Sequence, residues 1–324
     1  MMLLTPDLHA RPRIPTVVLF GAGLIGSAIV TSLQKSSPLK KTSLELDWSQ
    51  PELFREQLGG IEQQLTDLVG RGPDTETPRA VRVVWSAGRA GFQATDDEVS
   101  KEYDRFDEVV CCVERLSACI PEASWTVILI SSAGGLFEGQ QHVGLHSTPV
   151  PLRPYSHLKL RQEQRLQQCP GVIRKKIYRP TSVYGYVRNH QRRGLIPTLI
   201  ADGIRQRASR ISGFPTTLRD YVWIEDIAAY LAKVILDDDL CNQDSVDILG
   251  SAKPSSIFEI QQIVERCLRR PLYLCFATPT GNGNHITFAT DVLPGNWTSS
   301  ELETNVRKIT AEALTRQAVF SEAP

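Results

Sequence analysis

Short apolar runs alternating with amphipathic stretches organise the first half of this chain. The run Thr16-Val-Val-Leu-Phe20 is apolar at consecutive positions, as a strand buried on both faces must be, and Gly21 ends it. Apolar residues then recur at helical spacing from Ile25 to Leu33. Ser43-Leu-Glu-Leu-Asp47 reads as the next strand, and Pro51 opens a helix reaching about residue 69. Beyond a polar loop at 71–79 the alternation continues with strand 80–85, helix 97–118, strand 125–130, helix 154–168 and strand 172–178. Strands separated by helices in this way predict a parallel sheet wrapped on both faces, a doubly wound α/β fold. After Gly185 the pattern loosens, with helices expected at 225–236, 256–268 and about 301–314 and short strands between them. Two domains follow: one from 14–185 plus about 225–250, and a smaller one from 186–224 and 251–324.

Composition removes several function classes. The 324 residues are 41% hydrophobic and 22% charged, an ordinary globular balance. Lys and Arg number 36 and Asp and Glu also 36, so a chain-wide nucleic-acid or anionic-membrane surface has no electrostatic basis. No run approaches the ~20 apolar residues of a membrane span, and the apolar start Met1-Met-Leu-Leu4 is too short for a signal peptide. The seven cysteines are odd in number and form no paired C-x-x-C set, so they read as reduced thiols with no metal site. The expected compartment is the cytoplasm.

Phe20-Gly21-Ala22-Gly23-Leu24-Ile25-Gly26 is a G-x-G-x-x-G turn between a predicted strand and a predicted helix. There the first glycine permits the tight turn, the second lets backbone N–H groups approach a pyrophosphate, and the third lets the helix pack closely on the sheet. Leu24 and Ile25 lie within the segment expected to hold a dinucleotide. Asp47 follows Gly26 at the ~20-residue spacing of a carboxylate that binds an adenosine ribose and repels a 2′-phosphate. Trp48 comes next and no Arg is adjacent, which favours NAD over NADP. A second reading stays open, in which Asp47 ends the following strand and contacts adenine, because only one strand candidate lies between the first helix and Val81. Ser86, Ala87 and Gly88 leave the 80–85 strand at its C-terminal end and are expected against the cofactor, with Arg89 just beyond.

Tyr155-Ser-His-Leu-Lys159 places a phenol and an ammonium four residues apart, on one helix face. A neighbouring Lys⁺ favours the tyrosinate over a phenol of ordinary pKa ~10, so Tyr155 can act as general base toward a sugar hydroxyl. Upstream, Ile130-Ser131-Ser132-Ala133-Gly134-Gly135 sets hydroxyls at a strand's C-terminal end, where open α/β sheets bind ligands. His157 points off the Tyr–Lys face, Cys111-Cys112 sits in an apolar helix as core, and Arg192-Arg193 reads as a solvated basic pair, the alternative being that it faces an anionic substrate.

In this order the segments resemble the extended short-chain dehydrogenase/reductase family, specifically its nucleotide-sugar epimerase/dehydratase branch, over about residues 16–315. Arg179-Pro-Thr-Ser-Val-Tyr-Gly185 is similar to the family's R-P-x-N-V-Y-G, and Leu218-Arg219-Asp220-Tyr221-Val-Trp-Ile-Glu-Asp226 to its R-D-Y-V-x-V-x-D. Asn296-Trp297-Thr-Ser-Ser-Glu-Leu-Glu303 is a looser match to G-W-x-P-x-x-x-L-E. The resemblance implies a Rossmann-type doubly wound parallel sheet with a smaller C-terminal substrate-binding domain. It implies Tyr155 as base, Lys159 as its partner that also holds the nicotinamide ribose, and Ser132 as the assisting hydroxyl, with Ser131 the fallback. Pro180 would lie by the cofactor and Arg219 on a substrate diphosphate, the alternative for Arg219 being a structural ion pair with Asp220 or Asp226.

Departures from the family pattern shape the expected reaction. Ser182, at a substrate-binding position, replaces the family's Asn, and the usual helix Asn is replaced near Asp107. Ser132-Ala133-Gly134 stands where sugar 4,6-dehydratases carry Thr-Asp-Glu, which disfavours dehydration. The implied function is NAD-dependent epimerisation of a nucleotide-diphosphate sugar by transient hydride transfer. A keto-sugar reductase using the same residues and a non-catalytic dinucleotide sensor are the alternatives. A homodimer is expected through the helices from Asp97 and Pro154, with Val109, Val110, Val113, Leu116 and Leu158 shared across a two-fold axis.

Overall fold

In a computed structural model the chain is described over residues 1–6, 14–70, 79–185, 194–277 and 283–321. Arg192-Arg193 and most of the 71–79 loop lie outside the described residues. The chain divides into two compact units, Met1–Leu136 with Pro151–Arg179 and Ala228–Asp247, and Phe137–Val150 with Pro180–Ile227 and Ile248–Pro324. The stretch Phe137–Val150 thus belongs with the second unit, whereas the sequence pattern had left it in the first.

In the first unit, β1 (Met2–Pro6) precedes β2 (Thr16–Phe20), α1 (Leu24–Ser36), β3 (Leu39–Ser43), α2 (Pro51–Gly70), β4 (Ala80–Trp85) and α3 (Asp96–Cys119). Then come β5 (Ser124–Ile130), the short α4 (Ala133–Leu136), α5 (Pro154–Gln167) and β6 (Ile173–Pro180). The chain crosses through β7 (Ser182–Tyr184), α6 (Leu195–Ile204), β8 (Ser209–Ser212) and β9 (Leu218–Trp223), and returns along α7 (Ile224–Leu236), α8 (Asp238–Cys241) and β10 (Ser245–Leu249). It ends with β11 (Pro254–Ser256), α9 (Ile257–Leu268), β12 (Leu274–Ala277) and α10 (Leu302–Ser321).

The central sheet has seven strands in the order β10-β6-β5-β4-β2-β1-β3. Strands β2, β4, β5 and β6 are parallel, and their register stacks Val18 beside Val83 and Val83 beside Val127, then Phe20 beside Trp85 and Trp85 beside Leu129. These residues share one core with Phe54 and Leu58 of α2 and Phe106, Val109 and Val113 of α3. Alternate positions such as Val17, Leu19, Val84 and Ile128 are buried too, so both faces are covered and the runs read as continuously apolar. The expected α/β doubly wound fold is therefore present.

The sheet edge departs from expectation. Of the strand candidate at 43–47 only Ser43 is in a strand, which runs from Leu39 to Ser43, and 44–47 is a loop. Only Leu39 of β3 is buried, so this edge strand shows no apolar pattern. The N-terminal stretch, for which the sequence pattern predicts no strand, forms β1, antiparallel to β2 (Leu4 opposite Val17) and to β3 (Leu4 opposite Lys41). It fills the place beside β2 that the second strand of a βαβ unit ordinarily takes. Four apolar residues before Pro6 are too few for periodicity to reveal.

The residues assigned to a two-fold interface are committed elsewhere. Val109, Val110, Val113, Leu116 and Leu158 are all at most 3% exposed within the protomer, because α3 and α5 turn their apolar stripes inward. Outside those stripes, Arg165 pairs with Asp107 at 2.5 Å and Glu114 at 2.9 Å, and Arg161 stacks on Tyr103 at 4.0 Å. Asp107, in the family's Asn region, is thus held by Arg165 in a link between α3 and α5.

The second unit holds the three-stranded sheet β11-β9-β7 and the parallel pair β12-β8. A capping box between Ser256 and Glu259 starts α9, and Trp297 Nε1 donates to Gly250 O at 2.7 Å. No helix among the described residues is long and apolar enough to cross a membrane.

Because Leu4 is wholly buried between two antiparallel partners, Leu4→Ala is expected to lower unfolding free energy by about 2–4 kcal/mol in urea titration. A loss below about 0.5 kcal/mol would remove β1 from the sheet.

Candidate active site

The glycine turn is built by backbone contact. Gly21 has φ +94°, and a Cβ there would lie 2.3 Å from Ala87 N; one on Gly26 would lie 1.9 Å from Gly21 O. Ser86 Oγ lies 3.0 Å from Phe20 O and 2.8 Å from Gly21 O as donor, stitching the end of β4 to the turn. Gly23 caps α1 without a side-chain hydrogen bond, and no acidic residue occupies the first turn. The N–H groups at Leu24, Ile25 and Gly26 have no partner within the helix and carry the positive end of its dipole. This cradle suits a pyrophosphate such as that of NAD, and a side chain at Gly21 or Gly26 would break it by colliding with the backbone of Ala87 or of Gly21 itself.

Asp47 does not end a strand beside β2. It lies in the loop between β3 and α2, and its carboxylate accepts from Ser49 N at 2.8 Å, Ser49 Oγ at 2.5 Å and Gln50 N at 3.1 Å. The Ser49 bonds hold this carboxyl below its usual range, so it stays ionised through neutral pH. The strand beside β2 is β1, so the spacing argument for ribose contact loses its structural premise. Asp47 follows β3, the next strand out. Trp48 is 38% exposed and packs against Trp85 (5.8 Å between ring centroids) and Phe54 (5.3 Å), leaving part of its surface open beside that loop.

Pro154 suits the first position of α5, which puts Tyr155 in the first turn and Lys159 one turn on. The Tyr155 ring meets Phe92 edge-on with centroids 5.7 Å apart, and a Cβ on Gly135 would touch its Cε1 at 3.1 Å. Ser132 Oγ accepts the Gly135 N–H at 3.1 Å, so the phenol ring and this hydroxyl share Gly135 as neighbour. Lys159 is buried, with Nζ 5.7 Å from the Tyr155 ring centroid, 3.1 Å from Gln162 Oε1 and 3.7 Å from Glu102 Oε1. Burial pushes the Tyr221 phenol up to about 12 and also raises those of Tyr178 and Tyr184, which keeps these three protonated at neutral pH.

Ser131, the fallback hydroxyl, is buried and donates to Glu163 Oε1, and Glu163 also receives Arg179 Nε at 3.0 Å and Nη2 at 2.6 Å. Ser131 is thus committed to a structural triad, and Ser132 is the serine placed at Gly135. His157 is exposed and Cys112 buried.

Pro180, Ser182 and Arg219 lie in the second unit. Ser182 pairs with Tyr221 in the β7–β9 ladder, and Arg219 Nη1 donates to Asn284 O. Asp220 is buried and accepts from Thr181 Oγ1 at 2.7 Å and Ser251 N at 2.8 Å, while Asp226 accepts from Ser300 N at 2.8 Å. Both carboxylates proposed as alternative partners for Arg219 thus also accept backbone N–H groups. Among the described residues, no cluster of three His, Cys, Asp or Glu is placed to hold a metal ion.

Sequence reasoning missed Glu102. It lies on the same helical stripe as Phe106, Val109 and Val113, and a carboxylate within an apolar stripe was the available signal.

The sequence model of the NAD dependent epimerase/dehydratase family matches residues 17–248. Among solved structures, the ADP-L-glycero-D-manno-heptose-6-epimerase of Helicobacter pylori superposes with a TM-score of 0.72 at 16% identity, covering 94% of this chain and 98% of that one. The UDP-glucose 4-epimerase of Thermus thermophilus, in complex with NAD, gives 0.69 at 15% identity, covering 92% and 98%. The UDP-glucuronic acid 4-epimerase of Bacillus cereus, with UDP-glucuronic acid and NAD, gives 0.70 at 16% identity, covering 93% and 99%. At these identities the likeness is one of fold. No curated protein matches the chain by sequence.

Ser131→Ala removes one of the donors to a buried carboxylate, so it is expected to cost about 1–3 kcal/mol in urea unfolding. An unchanged midpoint would show that Glu163 does not need this hydroxyl.

Proposed function

This chain belongs to the NAD-dependent epimerase/dehydratase family, and from that premise we propose that it epimerises a nucleotide-diphosphate sugar, with Tyr155 as the acid/base group. The observation that carries the reading is the meeting of Tyr155 and Ser132 at Gly135, with Lys159 beneath the phenol ring, in the unit that also holds the glycine cradle. The nucleotide sugar bound by the Bacillus cereus protein supports the substrate class.

In this proposal Gly21, Gly23, Leu24, Ile25 and Gly26 hold the pyrophosphate of NAD through backbone N–H groups. Asp47 and Trp48 take the adenine end, in keeping with their place after β3. Ser86, Ala87 and Gly88 line the opposite side of the turn, Lys159 holds the nicotinamide ribose, and Pro180 flanks the cofactor. When bound, NAD supplies reversible oxidation of a sugar carbinol. Tyr155 takes the hydroxyl proton at its phenolic oxygen and later returns it, Ser132 hydrogen-bonds the reacting oxygen, and Lys159 favours the phenolate. Ser182 and Arg219 bind the substrate, the guanidinium being suited to bidentate contact with a diphosphate. The same residues would serve a net keto-sugar reductase, which differs by consuming its cofactor.

Tyr155→Phe keeps the ring against Gly135 and Phe92 but deletes the transferable proton. Turnover of an accepted UDP-sugar should fall roughly 10²-fold or more with NAD affinity retained, whereas Lys159→Met should lose both. Near-normal turnover by Tyr155→Phe would overturn the reading, and stoichiometric NAD consumption by the unmutated protein would replace epimerase with reductase.

A homodimer is also proposed, now through the charged positions of α3 and α5 rather than their apolar ones. Sedimentation at micromolar concentration should give a dimer at about 0.05 M salt and loss of it near 1 M, where screening acts within ~3 Å. A monomer at low salt would refute this contact.

A further inference from the structure

Lys159 has three N–H donors and no acceptor. Gln162 Oε1, within the same helix, takes one at 3.1 Å. Glu102 Oε1, reaching across from α3, stands 3.7 Å from the same nitrogen, inside ion-pair range and just beyond a hydrogen bond. The two side chains are only 6% and 9% exposed, so salt and water screen their attraction little.

The carboxylate is fixed from its other side. Glu102 Oε2 accepts the backbone N–H groups of Arg89 and Ala90, both at 3.0 Å, in the segment that leaves β4. Oε1 is buried and receives no hydrogen bond, and a Cβ on Gly88 would come within 2.7 Å of it. A buried carboxylate oxygen without a donor is costly unless a charge compensates it, and the charge at hand is the Lys159 ammonium. One oxygen therefore anchors the side chain while the other is aimed at Lys159.

We propose that Glu102 is a positioning residue, a buried counter-charge that ties the Lys159 ammonium to the 88–90 segment. With Gln162 and Glu102 on two sides, the remaining N–H is directed to a ligand hydroxyl, which on the reading of Lys159 given above is that of the nicotinamide ribose. The proposal rests on that reading and adds to it the group that orients the lysine before cofactor arrives.

Glu102→Gln tests the charge and spares the clamp, since the carboxamide oxygen can still accept from Arg89 and Ala90. NADH affinity, measured by fluorescence titration without turnover, should weaken roughly tenfold, the scale of losing a charge-assisted contact. The decisive measurement is the double-mutant cycle with Lys159→Met. If Glu102 acts through Lys159, Glu102→Gln in the Lys159→Met background should cost nothing further. An additional tenfold loss there, or unchanged affinity in Glu102→Gln alone, would reduce Glu102 to a loop anchor and overturn the proposal. Normal NADH binding by Lys159→Met alone would instead sink the underlying reading of Lys159, so the two failures are distinct. If Glu102→Gln does not fold, Glu102→Asp, which keeps the charge but withdraws it by one methylene, carries the same cycle.

Discussion

The ends of β2 and β4 are pressed together at backbone distance: a Cβ on Gly21 would lie 2.3 Å from Ala87 N, and Ser86 Oγ bridges to Phe20 O and Gly21 O. Three things depend on that junction. It sends the chain straight from β2 into α1, so first-turn N–H groups converge on one point. It fixes where the 86–90 segment leaves the sheet, and hence where Arg89 and Ala90 offer their N–H groups to Glu102. Through Glu102 it reaches Lys159 and the face of α5 that bears Tyr155. The cradle and the acid/base group are thus joined by a short chain of direct contacts within one unit.

Legibility in the sequence followed burial on two faces. Strands β2, β4 and β5 sit between helical layers, so nearly every residue is apolar and the runs stand out; the glycine turn and the Tyr155/Lys159 spacing are equally local patterns. Strand β3 was displaced by four residues because Lys40, Lys41, Thr42 and Ser43 are all exposed while Leu44 and Leu46, in the following loop, carry the apolar signal. The order β1-β3 at the edge was not legible at all, since antiparallel insertion of a distant segment leaves no trace in local periodicity.

Within the site, the same limit separated residue type from residue role. Ser131 and Ser132 are adjacent and chemically identical, and only the third dimension turns one toward Glu163 and the other toward Gly135. Asp47 has the expected spacing, yet its oxygens are occupied by Ser49 and Gln50 in a turn that starts α2. Glu102 was hidden for a different reason: α3 carries many acids, and the one sign that set it apart was its place on the apolar stripe of Phe106, Val109 and Val113.

The reversed strand β1 also governs how this edge of the sheet comes apart. β3 ends the sheet order and reaches it through β1, and β2 has β1 as its neighbour on that side. Detachment of β1 would therefore strand β3 and bare the backbone of β2 in a single event, exposing two rows of unpaired amides at once. The three segments should behave as one cooperative unit in hydrogen exchange, with β3 amides opening no less readily than those of β1. Of the two, the freshly uncovered edge of β2, apolar from Val17 to Phe20, is the one on which a second chain could add a strand, so self-association on partial unfolding would start next to the glycine turn.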